Sequence, residues 1–199
     1  MTSLVQIWNM AMGHLGQTST IQSENEKSQI ASACRTFWPS ARRSALSAFD
    51  WSFAKTYADL SQLDDGSPTD AWGYAYALPL ECLSVRFIDR GVRNGMADPV
   101  PYEIIRLDDD RKALLCDLSE CKIRYTADVL NVNMYEPQFV ESAAFVLAAA
   151  ACMQVTRKMD MKQGLLAQAR LITDSAAASS MNENRQDPPR ETASLRSRL

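Results

Sequence analysis

The spacing of apolar residues changes twice along the 199-residue chain, and each change limits the folds open to it. Apolar residues recur every three or four positions in residues 1–63, alternate with polar ones in 72–128, and return to helical spacing in 136–181. Helical segments at the two ends of a chain can bury their apolar faces against each other. The sequence therefore predicts an α+β fold, with a helical bundle built from N-terminal and C-terminal helices, an inserted antiparallel β region and a flexible C-terminal tail at 182–199.

The first predicted helix covers residues 3–15, because its apolar residues share one face after a Thr-Ser cap. Gly16 stands where a left-handed C-terminal cap would end this helix. After a polar turn, Ser23 followed three residues later by Glu26 matches a capping box. This pattern predicts that a second helix begins near residue 23.

The second helix is predicted to be long, since its apolar stripe continues to Phe49. Pro39 removes one backbone donor and crowds the preceding turn, so a bend or a division into two pieces is expected there. Helical spacing resumes at Trp51 and continues to Leu60. We therefore expect a third helical segment, which stops in the turn-rich sequence LDDGSPTD.

Five short runs of aromatic and β-branched residues follow this turn. They are WGYAYAL, CLSVRFI, YEIIRL, ALLCDL and KIRYTAD. Segments rich in Gly, Pro, Asn and Asp separate several of them, as in the connections between strands. The sequence predicts an antiparallel region of four or five strands.

The third region is a predicted helical hairpin. Pro137 suits the first turn of one helix, whose alanine-rich inner face implies close helix contact, and Asp160 can cap the next helix. From Asn182 onward the chain has two adjacent prolines and no long apolar run. That segment is not expected to fold alone.

The charge balance is close to neutral, with 24 acidic against 21 basic residues and a formal net charge of -3. This excludes a polybasic nucleic-acid binder. The most apolar run, 143–153, is shorter than the roughly 18 residues that a membrane span needs. The opening MTSLVQIWNM lacks the basic start and cleavage site of a signal peptide. We expect synthesis in the cytoplasm and no membrane span.

The five cysteines include no CxxC pair, and most lie in apolar patterns: Cys34, Cys82, Cys116, Cys121 and Cys152. Free, buried thiols are the expected state in a reducing compartment. A zinc site is not expected, because the chain has one histidine and too few closely spaced soft ligands.

The sequence also favours a protein that is not an enzyme. The single histidine, His14, falls in the last turn of the first helix, where a cation interacts well with the helix terminus. None of the common nucleotide-binding or hydrolase motifs occurs. The clustered carboxylates could bind a cation, but they fall in predicted turns, where solvated aspartates are common: Asp64, Asp65, Asp70, Asp108, Asp109 and Asp110. No metal or other cofactor is expected.

Six aromatic residues are dense enough to suggest a stacking platform for bases or sugars: Trp38, Trp51, Phe53, Trp72, Tyr74 and Tyr76. Such platforms usually carry basic side chains between the rings, and these are missing here, so core packing is the expected role. The short basic run of Arg35, Arg42 and Arg43 is expected to form a solvated helix face.

Four patches, in this order, resemble the head-to-tail adaptor family of tailed bacteriophages, also called tail tubular protein A or head completion protein in short-tailed phages. The first, NMAMGHLGQTSTIQSENEKS, contains Gly16. The second, ACRTFWPSARRSALSAFDWSFAKTYADL, contains Trp51, Phe53 and Ala54. The third, WGYAYALPLECLSV, contains Tyr76, Leu78 and Pro79. The fourth is the alanine-rich helix pair that opens at Pro137. Together the patches span nearly the whole chain.

This resemblance implies a structural virion protein at the head-tail junction, made in the host cytoplasm. It would form a homo-oligomeric ring of about twelve copies beneath the portal protein, join the tail or nozzle protein, and continue the DNA channel without sequence specificity. A slightly acidic ring suits a channel through which DNA passes without sticking. The ring would retain the packaged DNA.

The resemblance also implies a role for the tail at 182–199. In the family this extension reaches into the portal, so its arginines and leucines would be the anchors: Arg185, Arg190, Leu195, Arg196, Arg198 and Leu199. Two other functions stay open from the residues. One is an adaptor with peptidoglycan-hydrolase activity, and the other is a helical DNA-binding domain, for which the second helix is the sole candidate.

Overall fold

The computed structural model describes residues 2–64, 66–91, 99–107 and 111–183. Its helices are α1 (Leu4–His14), α2 (Gln29–Ala48), α3 (Pro137–Thr156) and α4 (Asp160–Glu183). Its strands are β1 (Lys55–Asp59), β2 (Tyr74–Ala77), β3 (Cys82–Ile88), β4 (Glu103–Arg106), β5 (Lys112–Cys116) and β6 (Lys122–Ala127). Short 3-10 helices cover Ser52–Ala54 and Val132–Met134. The predicted α+β class, with helices before and after an antiparallel region, is confirmed.

Helix α3 is the centre of the bundle and packs against each of the other three helices. Most of its alanines are buried, and Ala143, Ala144 and Ala148 are fully buried, so neighbouring helices approach closely. The helix is long and apolar enough to cross a membrane by length and composition alone, a test that buried core helices also pass. Within the protein, 56% of its most apolar window is buried. In this fold α3 is the core helix of the bundle.

The N-terminal caps differ in part from the sequence prediction. Ser3 and Gln6 form a capping box at the start of α1. The predicted start of α2 near Ser23 is wrong, because the carboxylate of Glu26 accepts instead from the backbone N–H of Gln22 at 2.7 Å and closes a turn. Helix α2 begins only after Ser28, whose hydroxyl accepts from a backbone N–H of the first turn.

Helix α2 passes through Pro39 as one uninterrupted element, so the expected division into two pieces does not occur. Pro39 lies on the exposed face of the helix. A backbone carbonyl left without a partner by the proline can therefore face water, which lowers the penalty for a proline in a helix.

The third helical segment predicted between Trp51 and Leu60 is wrong. One turn of 3-10 helix leads directly into strand β1, which pairs antiparallel with β6 from the Lys55–Thr126 pair to the Asp59–Lys122 pair. The apolar residues of this stretch fit both helical spacing and strand alternation. Backbone pairing with the free edge of β6 stabilises the strand.

The strands form two antiparallel three-stranded sheets, in the orders β1-β6-β3 and β2-β5-β4. All five predicted runs form strands, and β1 is the sixth. The sheets enclose a second, smaller core, which contains Tyr76, Leu114, Ile123 and Tyr125. The β region therefore has an interior separate from that of the bundle.

Helices α3 and α4 form the predicted hairpin. Arg157 ends α3 in the left-handed conformation, with φ 58°, and its N–H donates to the carbonyl of Met153. Helix α4 continues to Glu183, two residues beyond the predicted limit at 181. Residues 184–199 lie outside the described part of the chain.

Candidate interaction surface

The junction between the bundle and the β region is held by a carboxylate that two arginines share. The guanidinium of Arg42 donates to Asp128 through Nε at 3.0 Å and through Nη2 at 2.8 and 2.9 Å. Arg43 donates to the same carboxylate at 2.8 Å. The third member of the predicted basic run, Arg35, donates to the carbonyls of Glu24 and Glu26. Arg35 and Arg43 are exposed, as the predicted solvated face requires, whereas Arg42 is buried and departs from that prediction.

A second ionic cluster lies where α2 meets the first sheet. Asp50 accepts a hydrogen bond from Arg124 and lies 3.8 Å from both Lys55 Nζ and Arg86 Nε. Arg86 also donates to Thr126 at 2.8 Å and to the carbonyl of Phe49 at 2.8 Å. A guanidinium at the end of a helix neutralises its free carbonyls. Three cations around one carboxylate thus fasten the sheet to the C-terminus of α2.

An aromatic cluster fills the bundle side of this junction. Trp51 is fully buried and donates through Nε1 to the carbonyl of Ala45 at 2.9 Å. Its ring meets Phe139 edge-on at a centroid distance of 5.4 Å, and Phe139 contacts Phe53 at 5.0 Å. Ala54 is buried beside them. These contacts give the second resemblance patch a packing role, and Trp38 joins the same core.

The other residues of the resemblance patches also have structural roles. Gly16 adopts φ +71°, a conformation that favours glycine, and its N–H donates to the carbonyl of Gly13 at 2.9 Å. The hydroxyl of Tyr76 donates to the carbonyl of Leu118 at 2.6 Å. Leu78 donates from its backbone to Lys112, and the carbonyl of Pro79 accepts from Cys82 across a tight turn.

The outer aromatic residues are less buried than the core ones. Trp72 is half-buried, and its Nε1 donates to the carboxylate of Glu103 at 2.9 Å. The ring of Tyr74 lies 6.5 Å from that of Tyr76. Both tyrosines belong to β2, and neither ring stacks on a cation among the residues that the structure describes. The predicted core-packing role is confirmed for Trp38, Trp51 and Tyr76, which are buried. It holds only in part for Trp72, which is half-buried.

His14 stacks on Phe145, with ring centroids 3.8 Å apart and planes inclined by 14°. Burial lowers the pKa of this imidazole, and the nearby carboxylate of Glu141 opposes that shift. The neutral ring is therefore favoured. The sequence suggested that a charged His14 interacts with the helix terminus, but packing against α3 is the stronger influence. The Nε2 atom is buried without a hydrogen-bond partner among the described residues.

All five cysteines are free, as predicted, and four of them are buried while Cys82 is half-buried. Burial raises the pKa of the Cys34 and Cys121 thiols to about 12 and that of Cys82 to about 11. In the described ranges, no group of three or more His, Cys, Asp or Glu side chains could hold a metal ion. Asp65 and Asp108–Asp110 lie outside those ranges, as do the six tail residues predicted to bind the portal.

An open groove of about 600 Å³ runs along the β region and has carboxylates in its lining. Asp59, Asp89 and Glu120 line it, with Tyr76 and Cys121 among the other lining residues. Asp59 faces Lys122, with 3.8 Å between carboxylate oxygen and ammonium nitrogen, and Asp89 accepts from the N–H of Gly91. Its carboxylates are candidates for the acidic pair that glycoside hydrolysis requires.

Sequence reasoning missed three exposed apolar side chains at the junction. Leu80, at the tip of the β2–β3 turn, is fully exposed, Leu130 is 68% exposed and Met134 is 51% exposed. The two chain segments are neighbours, because the N–H of Asp128 donates to the carbonyl of Glu81 at 2.8 Å. The apolar residues of DVLNVNM, a connection between a strand and a helix, are the sequence feature from which this patch could have been predicted. We call Leu80, Leu130 and Met134 the junction patch.

Comparison with known proteins gives no match, either to a protein-family model or to a curated protein sequence.

Proposed function

We propose that this chain is a structural virion protein that forms a ring adaptor between the portal and the tail of a bacteriophage, continues the DNA channel and retains the packaged DNA. The observation that carries the proposal is the junction patch. The backbone hydrogen bond between Asp128 and Glu81 brings the segments that carry Leu80 and Leu130 next to each other. Clustered exposed apolar groups usually mark a protein interface, whereas single ones need no explanation. Leu80 and Leu130 come from two adjacent connections, and the patch therefore offers a site for a second copy of the chain.

The design of the junction supports the same proposal. A subunit of a ring must hold its bundle and its projecting β region at a fixed angle, so that every copy presents the same two faces to its neighbours. The shared Asp128, the cations around Asp50 and the cluster around Trp51 all lie at this joint. The patches that resemble phage adaptors contribute Arg42, Trp51 and Phe53 to it.

The basic run of α2 argues against the helical DNA-binding domain. A recognition helix needs guanidinium groups free to reach base edges or phosphates. Arg42 is only 7% exposed, and it shares the carboxylate of Asp128 with Arg43. The slightly acidic chain is better suited to letting DNA pass, which fits an adaptor with no sequence specificity.

Native mass spectrometry of the chain mixed with the portal ring of its phage tests the adaptor proposal. We expect one species with about twelve copies per portal ring. Leu130→Ser should lower the number of bound copies, because it removes an apolar contact between subunits. Met159→Ser is the matched control, since Met159 is 65% exposed at the other end of the bundle. Failure to form any complex across a range of salt and pH, or equal losses in both variants, would overturn the proposal.

The carboxylates in the β-region groove favour one second candidate, an adaptor that also hydrolyses peptidoglycan. Zymography on peptidoglycan gels tests it with Glu120→Gln and Asp89→Asn, both in that groove. Clearing that disappears in one of these variants and persists in Asp174→Asn, which lies in the bundle, would support hydrolysis. A gel without clearing for the unmodified chain would exclude it.

A further inference from the structure

A groove of about 360 Å³ lies on the bundle between α2 and α4, with α3 as its floor. Its floor contains Ser142, which is 1% exposed and whose hydroxyl lies 3.4 Å from the carbonyl of Ala169 and 3.2 Å from the hydroxyl of Thr173. Small side chains form much of the α2 wall, including Ser44 and Ala48. A groove with such walls admits another segment of backbone at close range.

The groove combines an apolar interior with a charged rim. Val146 and Leu166 supply apolar surface, while Arg170 and Asp174 stand one helical turn apart on α4. Neither of these two charges forms an ion pair with a side chain in the described ranges. The groove thus suits a segment that carries leucines together with charges of both signs.

The end of the chain has this composition and is close enough to reach the groove. Helix α4 ends at Glu183, nine residues after Asp174, which is about 13 Å along a helix axis. The 16 residues 184–199 can span about 55 Å when fully extended. They contain four arginines, Asp187 and Glu191, and Leu195 and Leu199 are four positions apart. Their length is sufficient to turn back and run along the groove.

We propose that residues 184–199 dock in the groove of their own chain, with Leu195 and Leu199 against Val146 and Leu166 and a tail arginine beside Asp174. The tether favours the chain's own groove over that of another copy, because short linkers give effective concentrations of about a millimolar. This docking does not depend on the adaptor function. If that function holds as well, a portal that binds the tail must first displace it from the groove.

Limited trypsin digestion of the full chain tests whether the tail is docked, because its four arginines are cleavage sites. We expect the double variant Leu195→Ser/Leu199→Ser to be cleaved at Arg190 and Arg196 about tenfold faster than the unmodified chain, since docking competes with cleavage. Ala193→Ser is the matched control for a serine in the tail and should change the rate little. Equal cleavage rates for all three proteins would overturn the proposal. The substitutions lie outside the bundle core, so both variants should fold.

Photo-crosslinking from the groove tests where the tail binds. A benzophenone amino acid at Ala48, an exposed groove residue, should form adducts with residues 184–199 within one chain, at a yield independent of protein concentration. The same group at Tyr57, which is 51% exposed on β1, is the control and should not reach the tail. Adducts between chains that increase with concentration would assign the groove to a second copy and overturn the proposal. So would the absence of tail adducts from Ala48.

Discussion

Arg42 and Asp128 are 86 residues apart in the chain, and their side chains form an ion pair in which Nη2 of Arg42 donates to both carboxylate oxygens at 2.8 and 2.9 Å. The two side chains are only 9% and 11% exposed. One residue belongs to α2 and the other follows β6, so this pair joins the bundle to the β region directly.

Arg42→Met should destabilise the protein by about 3 kcal/mol, because it leaves the buried carboxylate of Asp128 with one exposed partner. Arg43→Met is the matched control. Arg43 binds the same carboxylate but is 61% exposed, so its loss should change stability by less than about 1 kcal/mol. Urea unfolding followed by circular dichroism measures both. Equal losses in the two variants would mean that burial does not set the strength of this contact.

Trp51→Phe should lower stability by about 2–3 kcal/mol, since it leaves the carbonyl of Ala45 without its donor and opens a small cavity among packed rings. Trp72→Phe removes a comparable indole hydrogen bond, to Glu103, at a half-buried site. Its cost should stay below about 1 kcal/mol. Thermal unfolding of the two variants gives the comparison, and a larger effect at Trp72 would contradict the central role of the Trp51 cluster.

The parts of the fold that the sequence predicts correctly are those in which local pattern and tertiary contact agree. The five runs of the β region fit strand alternation only, and the alanine-rich hairpin fits helical spacing only. The segment from Trp51 to Leu60 does not, since Ala54 and Ala58 fit helical spacing as well as alternation. Pairing with β6 makes it a strand, and the local sequence pattern does not reveal that distant partner.

The candidate surfaces were less accessible to sequence reasoning than the fold. Arg42 and Asp128 pair across 86 positions, and the junction patch combines Leu80 with residues 50 positions later. Each side chain alone is ordinary, and only the fold brings them together. The capping-box pattern at Ser23 and Glu26 failed for a related reason, because Glu26 closes a turn with Gln22 before any helix begins.

His14 should make stability fall as the pH decreases below neutrality. Burial lowers its pKa from the ordinary value of 6.5, so the unfolded chain binds a proton more readily than the folded one. This contribution is fully present above pH 6.5 and is lost as the pH falls through the lower, folded pKa. His14→Phe keeps the stacking on Phe145 and removes the titration. The difference in melting temperature between the two proteins should therefore change between pH 7.5 and 5.5, and a constant difference would contradict the assignment.

Cysteine alkylation should differ sharply between the folded and the urea-unfolded protein. Cys82 is half-buried and its pKa is raised to about 11, whereas Cys34 and Cys121 are buried with pKa values of about 12. Iodoacetamide reacts with the thiolate, so at pH 8 we expect at most one slow label on the folded protein, at Cys82. All five thiols should react in urea. Peptide mass spectrometry locates the labels, and prior labelling of Cys34 in the folded protein would mean that the bundle opens readily.

In the described ranges, Asp50 is the one carboxylate that pairs with Arg124, Arg86 and Lys55, so its removal should expose a repulsion that salt can reduce. Asp50→Asn leaves three cations that are 16–22% exposed without a counter-charge, and it should destabilise the protein by about 2 kcal/mol at low ionic strength. Adding salt to about 1 M shortens the screening length to about 3 Å and should recover part of this loss. Asp59→Asn is the control, because Asp59 is 84% exposed and its ion pair in the described part of the chain is with Lys122. Its effect should be below about 0.5 kcal/mol and insensitive to salt. If the loss in Asp50→Asn does not depend on salt, hydrogen bonding rather than charge balance holds the sheet to the end of α2.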